Sequence, residues 1–175
     1  MARREEDDAV DRIVSQWAAV RPDVDVSPIH VVGRVSRLSR LIDRRLTESF
    51  ARYGIESWMY DVLATLRRSG EPYELSAGHL VRQSMVTTGA ITNRIDRLEE
   101  RGLVERVAAA GDRRKVMVRL TSAGLHLVDD VVLGHVATER ELLDGLSPNQ
   151  QRDLAQLLRR TLLSLGDEAD PSDAP

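Results

Sequence analysis

Thr88-Gly89-Ala90-Ile91-Thr92-Asn93-Arg94-Ile95-Asp96-Arg97-Leu98-Glu99-Glu100-Arg101-Gly102-Leu103-Val104-Glu105-Arg106 is the stretch whose reading decides the fold. Ile91, Ile95 and Leu98 fall within one narrow arc at helical spacing, so the run up to Gly102 reads as a helix with one buried face. Beyond Gly102 the pattern changes. Leu103 to Val107 and Val116 to Leu120 read as two short strands with period-two alternation, joined by a small, polar tip from Ala108 to Lys115.

Working upstream, Met59, Val62, Leu63 and Leu66 predict a helix that Ser57 caps and Gly70 closes before Glu71-Pro72. A short helix follows from Ser76 to about Val81, and Gln83-Ser84 separates it from the long one. Helix, helix, turn, helix and β-hairpin is the order of a winged helix-turn-helix. At the N-terminal end, Val10, Ile13, Val14 and Trp17 predict an extra helix. Ser27-Pro28 then opens a helix whose stripe (Val31, Val35, Leu38, Ile42, Leu46, Phe50) lasts about six turns. Downstream, Thr121-Ser122 starts a helix striped by Leu125, Val128, Val132 and Val136, and Ser147-Pro148 starts the last, through Leu154, Leu157, Leu158, Thr161 and Leu165. The expected fold is mainly α with a small β-hairpin wing. Its parts are a tail and extra helix over residues 1–26, dimerisation helices over 27–54 and 121–166, a DNA-binding lobe over 55–120, and a disordered acidic tail over 167–175. One copy can hardly bury such long apolar stripes, so a homodimer is expected.

The 175 residues are 42% hydrophobic, 30% charged and only 3% aromatic, which excludes a mainly disordered chain and favours Leu/Val/Ile helices over a β-rich fold. With no cysteine, disulfides, thiolate zinc sites, iron–sulfur clusters and cysteine redox sensing are excluded. No apolar run approaches the roughly 18 residues of a membrane span and no signal-peptide segment follows Met1, so a cytoplasmic protein without a membrane partner is expected. The net charge of -3 is uneven: Arg82 to Lys115 holds eight basic and five acidic residues, a local excess that suits a polyanion or, equally, a solvated helix. Enzymatic activity is not expected. There is no Gly-x-Ser-x-Gly elbow, phosphate-binding glycine loop or zinc helix, and His30, His79, His126 and His135 lack metal-ligand spacing. No cofactor is called for.

The run from Thr88 to Arg106, with Asp112-Arg113-Arg114 and Leu120-Thr121 behind it, resembles the MarR family of bacterial transcription factors over roughly residues 28 to 165. The residues agree physically. With Ile91, Ile95 and Leu98 inward, Gly89, Ala90, Asn93 and Arg97 face away, toward the major groove of double-stranded DNA. Gly89 and Ala90 allow close approach, Asn93 has the donor and acceptor for adenine, and Thr88, Arg94 and Arg97 reach phosphates. Many family members carry Arg where Asn93 stands, a departure that bears on base preference. The resemblance further implies that Asp112 orients Arg114 into the minor groove, with Arg113 and Lys115, the only lysine, on phosphates. An ordinary solvated hairpin is the alternative.

The resemblance also implies a small anionic or aromatic effector. Trp17, Asp61, Arg68 and Arg106, together with the extra N-terminal helix, resemble the residue quartet of the urate-responsive subgroup. Asp61 and Arg68 lie seven residues apart on one helix face and could pair; Arg106 could meet the anion and Trp17 stack on it, the anion then repelling Asp61. Taken singly these residues have plainer readings: a surface ion pair, a packing anchor, a phosphate contact. Arg37, Arg40 and Arg44 read as solvated or interface charges. The alternatives are a MarR-type regulator answering to a phenolic or aromatic acid, and an architectural DNA-binding protein without an effector.

Overall fold

The computed structural model describes residues 7–83, 88–109 and 112–167, and gives the backbone alone for 83, 88–90 and 112–115. In chain order the elements are α1 (Ala9–Val20), α2 (Ile29–Ala51), α3 (Ser57–Arg68), β1 (Glu74–Ser76), α4 (Ala77–Gln83), α5 (Thr88–Glu100), β2 (Val104–Ala109), β3 (Asp112–Leu120), α6 (Ser122–Leu142) and α7 (Pro148–Ser164). The chain divides into two compact units at Arg45/Leu46, within α2. The acidic tail expected over 167–175 lies, after Asp167, outside the described residues.

In the first unit a capping box starts α1. The Asp8 carboxylate accepts from the Val10 and Asp11 amides while Asp11 accepts from the Asp8 amide, satisfying donors that a helix start leaves open. The same two carboxylates hold Arg34 of α2, at 2.9 Å from Asp8 and 2.7 Å from Asp11. Val10 is buried where Gly33 leaves room; a Cβ there would stand 3.2 Å from the Val10 methyl.

The second unit is built on the side chains of α3, α4, α5 and the sheet. Val62, Leu63, Leu66, Leu80 and Leu98 are wholly buried, and Ile91 and Ile95 nearly so, as the helical stripe of α5 predicts. Helix starts follow the expected signals at Thr121 and Ser147. Thr121 caps α6 by accepting from the Gly124 amide at 3.1 Å, and Ser147 forms a capping box with Gln150 ahead of Pro148. At α3 the cap falls one residue earlier than expected, because Glu56 is the residue with extended backbone; its carboxylate makes no capping bond.

The sheet is three-stranded and antiparallel in the order β1-β3-β2, one strand more than the expected hairpin. β1 was not readable because three residues are too short to show alternation, and it takes Ser76 away from the short helix, which runs Ala77–Gln83. The wing also departs from its expected form. Asp112 to Lys115 belong to β3 rather than to a tip, and a register shift between Ala108 and Ala109 breaks the alternation that would have revealed it.

Candidate nucleic-acid interface and effector cleft

Opposite its buried stripe, α5 presents Asn93, exposed, and Arg97, whose side chain is 52% exposed. Thr88, Gly89 and Ala90 form the first turn of this helix, and their side chains lie outside the described residues. So do those of Asp112, Arg113, Arg114 and Lys115, whose backbone forms the start of β3.

Arg94 and Arg97 share one neighbour. The Trp58 ring in the first turn of α3 has the Arg97 guanidinium carbon 4.8 Å from its centroid and that of Arg94 at 5.5 Å. Arg97 also donates to Glu56 at 2.7 Å, while Nη1 of Arg94 is buried without a hydrogen-bond partner among the described residues. Hydrogen bonds from the Trp58 indole and the Arg97 guanidinium hold the Glu56 carboxyl below its ordinary value.

Arg106, on β2, reaches across to α5. Its guanidinium is bound by Asp96 and Glu99, and its backbone amide donates to Glu99 at 3.1 Å. The bond to Asp96 and the two negative charges raise its pKa above the ordinary arginine value, so this cation is fixed. The wing strand and α5 are thereby tied through one side chain.

Asp61 and Arg68 come together elsewhere, on the wall of a cleft of about 220 Å³ between α3 and α6. Arg68 donates to Thr65 Oγ1 at 3.0 Å, and Thr65 in turn donates to the Asp61 carbonyl at 2.7 Å, so the two residues are linked through a buried threonine. Tyr60 and His135 form an aromatic side of the cleft, with ring centroids 4.7 Å apart, and Phe50 stacks on both. Burial and the Glu139 charge push the Tyr60 hydroxyl up, against the pull of Arg68. Arg106 is not among the residues that line this cleft. Trp17 belongs to the other unit, on α1, with nearly half its surface exposed.

Sequence reasoning missed Glu56, Trp58, Asp96 and Glu99 as partners of the basic residues, and Tyr60 and His135 beside Asp61. The three-residue spacing of Asp96 and Glu99 was a usable signal, since it puts both on one helix face. No helix among the described residues is long and apolar enough to cross a membrane, and no three His, Asp or Glu gather there as metal ligands.

A three-stranded wing beside a helix-turn-helix, with an exposed polar face on its second helix, defines a winged helix-turn-helix transcriptional regulator. The chain belongs to the MarR family, whose members are regulators and not enzymes. The MarR family model matches residues 53–115. The chain is 43% identical over 151 residues to the HTH-type transcriptional regulator PecS of Dickeya dadantii, covering 86% of this chain and 91% of that one. Among solved structures it is similar to Sco3205 of Streptomyces coelicolor in complex with DNA, at 26% identity and a TM-score of 0.70, over 85% of this chain and 92% of the other. It also matches a mutant MarR of Escherichia coli complexed with operator DNA, at 26% identity and a TM-score of 0.67, over 83% and 97%.

Proposed function

We propose that this protein is a homodimeric, ligand-responsive repressor that binds a pseudo-palindromic operator and is released from it by a small anionic aromatic effector of the urate type. The observation that carries the DNA-binding part is the polar face of α5, with Asn93 and Arg97 exposed opposite buried Ile91, Ile95 and Leu98. In this reading Asn93 reads a base edge, Gly89 and Ala90 allow the helix to approach, and Thr88, Arg94 and Arg97 hold phosphates. Arg114, oriented by Asp112, enters the minor groove beside Arg113 and Lys115 on the backbone. Half-sites about one helical turn apart would each take one lobe. The DNA complexes of Sco3205 and MarR support the docking mode.

For the effector, the reading takes Trp17, Asp61, Arg68 and Arg106 as the ligand-responsive set. Support comes from the cleft that carries Asp61 and Arg68, and from Arg106 being the tie between β2 and α5. An anion met by Arg106 repels Asp61 and disturbs its link to Arg68 through Thr65, and the recognition helix then moves. The paired Tyr60 and His135 rings favour a second reading of the ligand, a phenolic or aromatic acid stacked in the cleft.

The test is a gel shift on the DNA beside the protein's own gene, at fixed salt, with and without urate or salicylate. Release by urate and not by equal salicylate is expected. Release by salicylate alone would turn the reading to the aromatic acid, and binding insensitive to both would remove the effector. Arg106→Ala is expected to bind DNA while losing the urate response; release of DNA unchanged in that variant would sink its role.

A further inference from the structure

Glu56 and Trp58 stand at the start of α3, outside every group so far given a task at the DNA. Glu56 is the N-cap residue of α3, yet its carboxylate forgoes the amides of that helix start and turns to Arg97 at 2.7 Å. Trp58 lays one ring beside both Arg94 and Arg97. An arginine has more rotamer freedom to lose than almost any side chain, and an aromatic plane that already holds it lowers what must be ordered when it meets a phosphate. Arg94 Nη1 is buried without a hydrogen-bond partner among the described residues, so this guanidinium gains a bond when it turns out to a phosphate.

We infer that Trp58 is a positioning residue for DNA binding: its ring sets Arg94 and Arg97 toward the phosphate backbone, and Glu56 is the counter-charge that Arg97 leaves when a phosphate replaces it. The assignment rests on α5 being the DNA-facing helix. Trp58 touches no base in this scheme; its ring acts through the two arginines, while its indole N–H bonds Glu56. The two members therefore have opposite signs. Loss of the ring leaves the guanidinium groups unordered and weakens binding, whereas loss of the Glu56 charge removes a competitor and strengthens it. A purely structural role for this corner would weaken binding in both cases.

The experiment titrates the DNA beside the protein's own gene, and an unrelated duplex of equal length, against the full-length wild type, Trp58→Leu, Trp58→Phe and Glu56→Gln over a series of salt concentrations. Trp58→Leu is expected to bind both duplexes about tenfold more weakly, equally on the two because phosphates carry no sequence, and its salt dependence should be shallower by roughly one unit for each phosphate it no longer holds. Trp58→Phe keeps a ring face and is expected to restore most of the affinity. Glu56→Gln keeps the shape of the side chain, is expected to fold as wild type, and binds about three- to tenfold tighter at low salt. Wild-type affinity and salt slope in both Trp58→Leu and Glu56→Gln, with wild-type binding intact, overturn the inference and leave the DNA reading standing. Weaker binding by Glu56→Gln overturns the role of the counter-charge. A wild type that retards neither duplex overturns the DNA reading and this inference together.

Discussion

Gly124 shows how narrowly single positions are set. A Cβ there would lie 2.0 Å from the Leu103 carbonyl oxygen, a backbone atom that cannot rotate away. Gly124→Ala is therefore expected to destabilise the fold by about 2–3 kcal/mol through overpacking, read as a lowered urea midpoint with an unchanged slope; an unchanged midpoint would mean that α6 shifts freely. Leu98→Ala removes a wholly buried side chain of α5 and is expected to cost about 2–5 kcal/mol in the same measurement. Leu98 was legible in the sequence as part of a helical stripe. The close approach at Gly124 was not, because it joins the first turn of α6 to a chain segment some twenty residues earlier, and no local pattern encodes it. Arg106 shows the same limit: its candidacy came from resemblance, but its partners Asp96 and Glu99 depend on how β2 crosses α5.

Whole elements were most readable where a cap and a stripe agree. Ser147 and Pro148 announce α7, and Thr121 announces α6, whereas β1 leaves no trace in three residues, and the β3 start is hidden by charge and a register shift. The cleft residues Asp61 and Arg68 were found as a same-face pair, and the threonine joining them was not, since Thr65 is one of many β-branched residues on a helix. The attachment of α1 to α2 has a pH signature. Its bond from Arg34, and then that to the Asp8 amide, lower the Asp11 pKa below 3.8. A carboxylate depressed in the folded state contributes stability that is present above its unfolded value and is lost as pH falls through the folded one. Deuterium uptake in residues 9–20, corrected for intrinsic exchange, is expected to be slow at neutral pH and to rise once the pH falls below 3.8. Asp11→Asn should show the faster uptake already at neutral pH; equal protection in wild type and variant would remove this pair as the fastening.

At the scale of the molecule, the exposed apolar residues ask for a second copy. Leu157, Leu158, Leu162 and Leu163 of the C-terminal helix and its C-cap Leu165 are all open, no residue of α7 is buried, and Val31, Val32, Val35 and Leu38 are open along α2. Light scattering is expected to give about twice the 19.6 kDa of one chain. The double variant Leu158→Asp, Leu162→Asp is expected to give the single-chain mass and to lose operator binding, since two half-sites need two lobes; a dimer that persists in that variant would place the interface elsewhere. The Glu99 bond to the Arg106 amide has a meaning between molecules as well. β2 lies at the rim of the sheet, where an open amide is an invitation for a strand of another molecule to add itself. Glu99 occupies that donor and sets a carboxylate beside the edge, so the same side chain that steadies the wing also takes away one of the bonds an added strand would need.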